Sequence, residues 1–425
     1  MTTDILYLVH RIPYPPNKGD KIRAYHVLDY LRRRYRVHLG CFVDDTADWQ
    51  YAAHLQSLCA STCFVALRPG LARIGSLRGW LRGEPLSLPY YRSTRLQQWV
   101  RQMLERHPIG TALAFSGPMA QYLPAHTPRG PLRRVMDLVD VDSEKWRDYA
   151  ATQPWPLSRL YAREAERLLA FERDIAQRFD QVTLVSEPEA ALFQRSAPES
   201  AHKIAYFNNG VDADYFRPDP QRRNPYPAGQ TVLVFTGAMD YWPNVQAVQW
   251  FAKHVLPCVR LQQPKLHFHI VGARPSPQVQ LLASLPGVQV SGTVPDVRPY
   301  LQHAALAVAP LRIARGVQNK VLEAMAMEKT VIASPQALEG IAAGTGTELL
   351  CAADAGEFIY HINAVLGAGH NPFPDMGAAA RERVLQNYSW AINLARLGKV
   401  LGLAGRLGDD GDAAASPGLA DEVGA

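Results

Sequence analysis

The chain repeats one rhythm twice: a short apolar run, a break at glycine or proline, then a segment with helical spacing. Wholly apolar runs of four to eight residues are the mark of parallel strands buried on both faces. Strands alternating with helices build a parallel sheet covered on both sides. In the first half the predicted strands are Ile5–Val9, Val37–Val43, 111–115, 134–139, 182–186 and 203–207. Asp20 is placed to cap a helix carrying Ile22, Tyr25, Leu28 and Leu31. A long helix over 158–179 shows Leu160, Leu168, Phe171, Ile175 and Phe179 at helical spacing. The Pro-rich stretch from Arg217 to Pro227 reads as a linker. The alternation then restarts with strands at 232–236, 268–271, 288–291, 306–309 and 330–333, and helices at 244–256 and 317–327. The expected fold class is α/β, two doubly wound domains in tandem.

The 425 residues suit two such domains, and the formal net charge is +6. The charge is lopsided. Residues 1–210 hold 28 Lys and Arg against 21 Asp and Glu, whereas residues 211–425 hold 17 against 18. A positive first half attracts anionic lipid, phosphorylated substrate or nucleic acid. No nucleic-acid motif or stacking series of aromatics is present, and no G-x-G-x-x-G opens a βαβ unit as in a dehydrogenase. Five cysteines without metal-site spacing, an opening without signal-peptide character and no long apolar run predict a reduced, cytosolic chain. From Ala404 the sequence is Ala, Gly, Asp and Ser with little to pack, so a disordered tail is expected.

The densest chemistry lies in Pro310-Leu-Arg312-Ile-Ala-Arg315-Gly316-Val317-Gln-Asn319-Lys320-Val-Leu-Glu323-Ala-Met-Ala. It follows a predicted strand, at the carboxyl edge where parallel sheets bind ligands. Gly316 allows close backbone approach, and the helix it opens offers unpaired N–H groups to an anion. Lys320 and Glu323 share a helix face. A cation at the helix start suits a diphosphate, and a carboxylate one turn on suits the hydroxyls of a ribose. A solvated surface pair is the plainer alternative.

This segment resembles the nucleotide-sugar-binding helix of glycosyltransferase family 4, enzymes of the GT-B fold. Asn209-Gly210-Val211-Asp212, Thr236-Gly237 through Pro243-Asn244, and Tyr388-Ser389-Trp390 are similar to other stretches of that family. The opening HRIPYPPNKGDKIR and MDLVDVDSEKW at 136–146 resemble a narrower branch, the sugar transferase of PEP-CTERM/exosortase exopolysaccharide systems. The resemblance implies two Rossmann-like domains facing a cleft, residues 1–210 on the acceptor side and 211–385 on the nucleotide-sugar side. A helix over 386–403 would cross back to the first domain, and 404–425 is left as tail. The implied activity is retaining transfer of a sugar from a nucleotide diphosphate to a hydroxyl of an exopolysaccharide precursor, lipid-linked or oligosaccharide. It implies neither cofactor nor metal, and closure of the domains over the donor. The family pattern Glu-x7-Glu is met by Glu323 at its second position, but Arg315 stands at the first. A guanidinium accepts no hydrogen bond from a sugar hydroxyl. It can neutralise a diphosphate, as can Arg312 or Arg274. Gly237, Asn244, Val317 and Asn319 complete the expected donor site.

On the acceptor side, Lys18-Gly19-Asp20 corresponds to the family's glycine-rich loop. Asp137, Asp140, Asp142 and Glu144 crowd one strand end, where like charges repel unless exposed or functional. Asp140 or Asp142 is expected at the reacting sugar or the acceptor hydroxyl, beside Lys320 and Glu323 as catalytic groups. Ser186, Glu187 and Glu189 follow the next strand, where Glu187 either faces the cleft or serves as an N-terminal helix acid, and His10 follows the first. Residues 68–106 carry eight arginines against two glutamates, with Leu71, Ile74, Leu77, Trp80 and Leu81 interleaved. That pattern predicts a helix on an anionic membrane surface, hence a peripheral protein on the inner face of the membrane. A nucleotide-sugar epimerase of the same fold and a non-catalytic scaffold of a polysaccharide-assembly complex are the rival readings.

Overall fold

The computed structural model describes residues 3–402 apart from Asn17, Lys18, Leu71, 73–75, Leu77, Arg78, Trp80, Leu81, Arg315 and 368–370. The predicted tail lies outside these residues, as do the apolar positions chosen for the membrane helix. The chain forms two compact units. One runs to Asn208 and takes the chain back from Leu394, and the other is Asn209–Asn393.

The first unit is built on seven strands: β1 (Thr3–Val9), β2 (Tyr35–Val43), β3 (Ser61–Ala66), β4 (Ile109–Phe115), β5 (Arg133–Val139), β6 (Gln181–Leu184) and β7 (Ile204–Tyr206). Their spatial order is β3-β2-β1-β4-β5-β6-β7, and every pairing is parallel. Ile5 to Val9 are at most 1% exposed, as a strand covered by helices on both faces requires. The order reverses between β1 and β4, so the carboxyl ends of those strands flank the crevice where such sheets bind ligands. β3 has no counterpart in the sequence reading. It is an edge strand of mixed burial, and Ser61-Thr-Cys-Phe-Val-Ala lacks the continuous apolar character of a central strand.

Four helices of this unit matter below: α1 (Gly19–Arg32), α2 (Thr94–Arg106), α3 (Asp142–Thr152) and α4 (Leu157–Arg178). α2 corrects the membrane expectation for the last third of the basic stretch. Ser93 caps it by accepting from the Leu96 amide, and Leu96, Val100, Met103 and Leu104 are buried in the unit's own core. The arginines there are the solvated face of a core helix.

The second unit carries β8 (Thr231–Thr236), β9 (Leu266–Val271), β10 (Val288–Gly292), β11 (Leu306–Ala309), β12 (Val331–Ala333) and β13 (Leu350–Cys351). The order is β10-β9-β8-β11-β12-β13, again all parallel, with the reversal between β8 and β11. α5 (Trp242–His254) follows β8, and α6 (Asn319–Ala326) lies between β11 and β12.

Two motifs singled out separately in the sequence meet here. The Val211 amide donates to the Tyr388 carbonyl at 2.7 Å, and Val211 bridges Ser389. A Cβ on Gly210 would lie 2.6 Å from the indole of Trp390, so only glycine lets these segments touch. α7 (Trp390–Val400) starts in the second unit and ends in the first. Among the described residues no helix is long and apolar enough to cross a membrane.

Candidate active site

In the second unit the strand ends at the switch point assemble three expected residues, Gly237, Asn244 and Lys320. The first turn after β8 is closed by Gly237, in a positive-φ conformation that side chains rarely adopt. A Cβ there would stand 2.9 Å from Asn244 Nδ2 and 3.2 Å from Lys320 Nζ. Asn244, in the first turn of α5 and 4% exposed, donates from Nδ2 to the Ala238 carbonyl at 2.9 Å. Its Oδ1 accepts from the Lys320 ammonium, which also stands over the Phe235 ring at 4.6 Å. A loop, a helix start and a lysine thus converge on one backbone turn.

α6 begins at Asn319, not at Gly316 or Val317 as the sequence reading had it. Gly316 lies three residues upstream with φ 67°, a left-handed bend that brings the chain round to the helix. Gln318 occupies the cap position and gives the helix start no side-chain hydrogen bond, its amide donating instead to the Gly316 carbonyl at 3.2 Å. A helix start without a side-chain cap keeps backbone N–H groups for an anion. Val317 is buried, Val321, Leu322 and Met325 fix α6 to the core, and Asn319, Lys320 and Glu323 are partly exposed.

Lys320 and Glu323 are therefore not a solvated surface pair. Desolvation pulls Lys320 down to about 7, opposed by the charge of Glu323. Desolvation also pushes Glu323 up to about 7, opposed by Lys320. Each holds the other partly charged, and an arriving phosphate would restore the full charge of Lys320.

The other expected cations are differently placed. Arg274, at φ 51° in the turn after β9, pairs with Asp240 at 2.6 Å and is half exposed. The exposed Arg312 lies 5.7 Å over the Trp250 ring, on the later turns of α5. Arg315 and Lys18 lie outside the described residues. Beside the Gly237 turn is an open recess of about 540 Å³ lined by Asp240, Trp242, Gln246, Gln249 and Ser276 among others.

In the first unit the carboxyl edge of the sheet collects a polar cluster. His10 and Arg11 follow β1, and Asp44 follows β2. Arg11 pairs with Asp20 at 2.6 Å and with Asp44 at 2.8 Å, and His10 Nε2 lies 3.4 Å from Asp20. Hydrogen bonding and charge from His10, with Arg11 adding, hold the Asp20 carboxyl well below its ordinary range against burial. Asp20 sits inside the first turn of α1, which starts at Gly19, so it is an ion-pair partner and not the cap expected. The His10 ring stacks parallel to Phe115 at 5.8 Å and meets Tyr91 edge-on at the same distance. Asp44, Tyr91 and Phe115 were missed, although Asp44 could have been found by asking which residue follows each strand.

The crowded carboxylates each have a partner. Asp137, 1% exposed, is paired with Arg23, equally buried. Lys145 takes both Asp140 at 2.7 Å and Asp142 at 3.2 Å, and Glu144 takes Arg147. Two further buried acids hold the start of α3. Glu189 accepts from the Val141 amide at 3.0 Å and Glu172 from the Ser143 amide at 3.1 Å. Ser186 caps the Glu187–Ser196 helix, and Glu187 accepts from the Tyr206 hydroxyl at 3.3 Å. Two side-chain-bearing residues on this edge have strained backbone: Ser116 with φ 74° after β4 and Val139 with φ 73° at the end of β5. A β-branched residue in that region is an outlier of the sort found at functional sites.

Comparison with known proteins agrees with this layout. Residues 230–368 match the family model described as glycosyl transferases group 1. No curated protein matches the chain. Solved structures match nearly its whole length at low identity. Sucrose-phosphate synthase from Thermosynechococcus elongatus is 17% identical with a TM-score of 0.69, over 95% of this chain and 99% of that one. Anabaena HepE, in complex with UDP and glucose, is 14% identical with a TM-score of 0.65, over 94% and 100%. WaaG, a glycosyltransferase involved in lipopolysaccharide biosynthesis, is 14% identical with a TM-score of 0.61, over 94% and 100%. At such identities the structures speak for the fold. Residues 230–368 thus match the glycosyl transferases group 1 model, and the chain's two parallel-sheet Rossmann-like units match structures of the GT-B fold.

Proposed function

We propose that the protein is a nucleotide-sugar-dependent glycosyltransferase that retains anomeric configuration and needs no metal. Its donor site is the turn at Gly237 with Asn244, Lys320, Glu323 and the start of α6. The acceptor is a hydroxyl of an exopolysaccharide precursor, as in PEP-CTERM/exosortase systems. The observation that carries the reading is the convergence of Lys320 on Gly237 and Asn244 beside a helix start without a side-chain cap.

The hard step is departure of the nucleoside diphosphate. The bond from the sugar's anomeric carbon to the β-phosphate oxygen breaks, and a bond to the acceptor oxygen forms. The acceptor proton leaves toward the departing phosphate, the front-face route that retention implies. Lys320 and the α6 N–H groups stabilise the charge growing on the diphosphate, the term that dominates such reactions. Glu323 accepts from the ribose hydroxyls. Arg315, Arg312 or Arg274 adds positive charge at the phosphates. Asp140 or Asp142 is the catalytic candidate for the reacting hydroxyl.

The test is a panel of nucleotide sugars with membrane extract as acceptor, read as release of nucleoside diphosphate. UDP-glucose comes first, because HepE has been crystallised with it. Release with one donor is expected, and no release across the panel would overturn the reading. Tight donor binding without turnover would instead support the scaffold reading. The same proposal places the protein on the inner membrane face through the basic residues from Arg68. Arg78→Glu with Arg82→Glu should then weaken sedimentation with anionic vesicles, and unchanged binding would remove the membrane from the account.

A further inference from the structure

At the amino-terminal edge of the first unit's sheet, opposite that unit's own carboxyl-edge cluster, three side chains from three segments face one another. Asp4 stands near the start of β1, His38 in β2, and His107 at the end of α2, two residues before β4. Asp4 is 1% exposed and His38 fully buried, while the His107 side chain is 30% exposed. His38 Nε2 lies 3.7 Å from one Asp4 oxygen, and His107 Nδ1 lies 3.9 Å from the other. All three ligand atoms fall within 4.8 Å of one another. Both Asp4 oxygens and His38 Nε2 are buried without a hydrogen-bond partner. An ionised carboxylate so placed is costly unless something compensates it.

The hydrogen bonds around His38 say what that something is. Ser61 Oγ donates to Met103 Sδ at 3.2 Å and lies 2.7 Å from His38 Nδ1. This contact orients the ring and leaves Nε2 turned toward Asp4 at 3.7 Å. An outer hydrogen bond that orients the ring is the usual companion of a metal-binding histidine. Arg36, opposite Asp4 in the ladder, has its guanidinium 3.6 Å from Asp4. It is more than half exposed, free to turn to water.

We infer that Asp4, His38 and His107 form a site for a divalent transition metal, zinc above all, that staples β1, β2 and the start of β4. Two imidazoles and one carboxylate suit zinc, cobalt or nickel and disfavour magnesium and calcium, which take oxygen ligands. Tetrahedral ligands about 2.1 Å from zinc stand roughly 3.4 Å apart. His38 and Asp4 already stand near that separation at 3.7 Å, and a small turn of the partly exposed His107 ring brings it in and gives the ion its entry. The fourth position is left to water. This site is separate from the proposed sugar chemistry, and it stands or falls independently of it.

The test uses the full chain without a histidine tag, stripped with chelator and titrated with zinc or cobalt. One equivalent should bind, with a rise in melting temperature and, for cobalt, visible bands of nitrogen–oxygen ligation. His107→Gln should weaken binding at least ~10-fold and abolish the thermal shift. Because His107 is partly exposed, that variant keeps its fold even if Asp4→Asn does not. His126→Gln, at an exposed position, should change neither. Less than stoichiometric binding, or equal affinity in His107→Gln, would overturn the assignment.

Discussion

The ammonium of Lys320 donates to the side-chain oxygen of Asn244, 76 residues away in the chain, and Asn244 returns the contact to the backbone at Ala238. The lysine is thereby aimed at the Gly237 turn before any ligand arrives. Its titration near 7 makes donor binding pH-dependent. The diphosphate of a nucleotide sugar does not titrate between pH 6 and 9, so binding must draw Lys320 into its charged form. Affinity should fall above pH 7, approaching tenfold per pH unit, roughly the slope of one linked proton. Glu323→Gln should move the fall to lower pH, because the Glu323 charge is what holds Lys320 up. Lys320→Ala should remove the pH dependence and cost on the order of 10²-fold in kcat/KM. Calorimetry across pH checks all three.

Gly272 and Gly237 end neighbouring strands in backbone contact. A Cβ on Gly272 would stand 1.7 Å from the Gly237 carbonyl oxygen, and backbone cannot yield as a flexible side chain can. Gly272→Ala should cost about 1–3 kcal/mol or more in denaturant unfolding and weaken donor binding by moving the Gly237 turn. Gly19→Ala is the contrast. No atom lies within 4 Å of a Cβ there, at the first residue of α1, so stability should hold or rise by about 0.4–1 kcal/mol.

The architecture was legible because buried parallel strands leave a signature that survives without tertiary context. Val232–Phe235 and Leu306–Ala309 are apolar throughout, and the structure extends the predicted 232–236 strand by one residue and leaves 306–309 unchanged. Strand β3 escaped because an edge strand needs only one well-covered neighbour. The start of α6 was misplaced by two or three residues, since Gly316 permits a helix start but does not require one. Pairings were the least legible. Four acids within eight residues predict repulsion, and only the fold shows that Arg23, Lys145 and Arg147 answer them. Arg23 lies 114 residues from Asp137, beyond the reach of local spacing.

That pair carries the third prediction. Arg23 makes two hydrogen bonds to Asp137, at 2.9 and 3.1 Å, donates to the Phe207 carbonyl at 3.0 Å and stacks 3.6 Å over the Phe207 ring. Removing one member of a buried pair strands the other charge, at a cost of about 3–5 kcal/mol. Arg23→Met should lower stability by that much, and Asp137→Asn should lower it too. Combining them should cost less than the sum, because the stranded charge is gone. Urea unfolding of the four proteins gives the coupling, and strict additivity would contradict a buried pair.

Glu172 sets the pH profile of the first unit. It lies 3% exposed in α4, accepting from the Ser143 amide and hydroxyl at 3.1 and 2.5 Å. Desolvation, reinforced by the charge of Asp142, pushes its carboxyl up to about 8, and the Ser143 bonds only partly oppose this. The folded state therefore holds a proton that the unfolded chain gives up near its ordinary value of 4.5. Between those values the native state binds more protons, so stability must fall as pH rises from about 4.5 to 8 and level off beyond. Glu172→Gln keeps an acceptor for the Ser143 amide and removes the titration. Its stability should match the parent near pH 4.5 and exceed it by on the order of 2–4 kcal/mol at pH 8. Asp142→Asn should shift the parent's decline to higher stability at neutral pH, since one raising charge is lost. Melting temperatures of the three proteins across pH 5–9 decide the matter, and parallel curves for parent and Glu172→Gln would place the proton elsewhere.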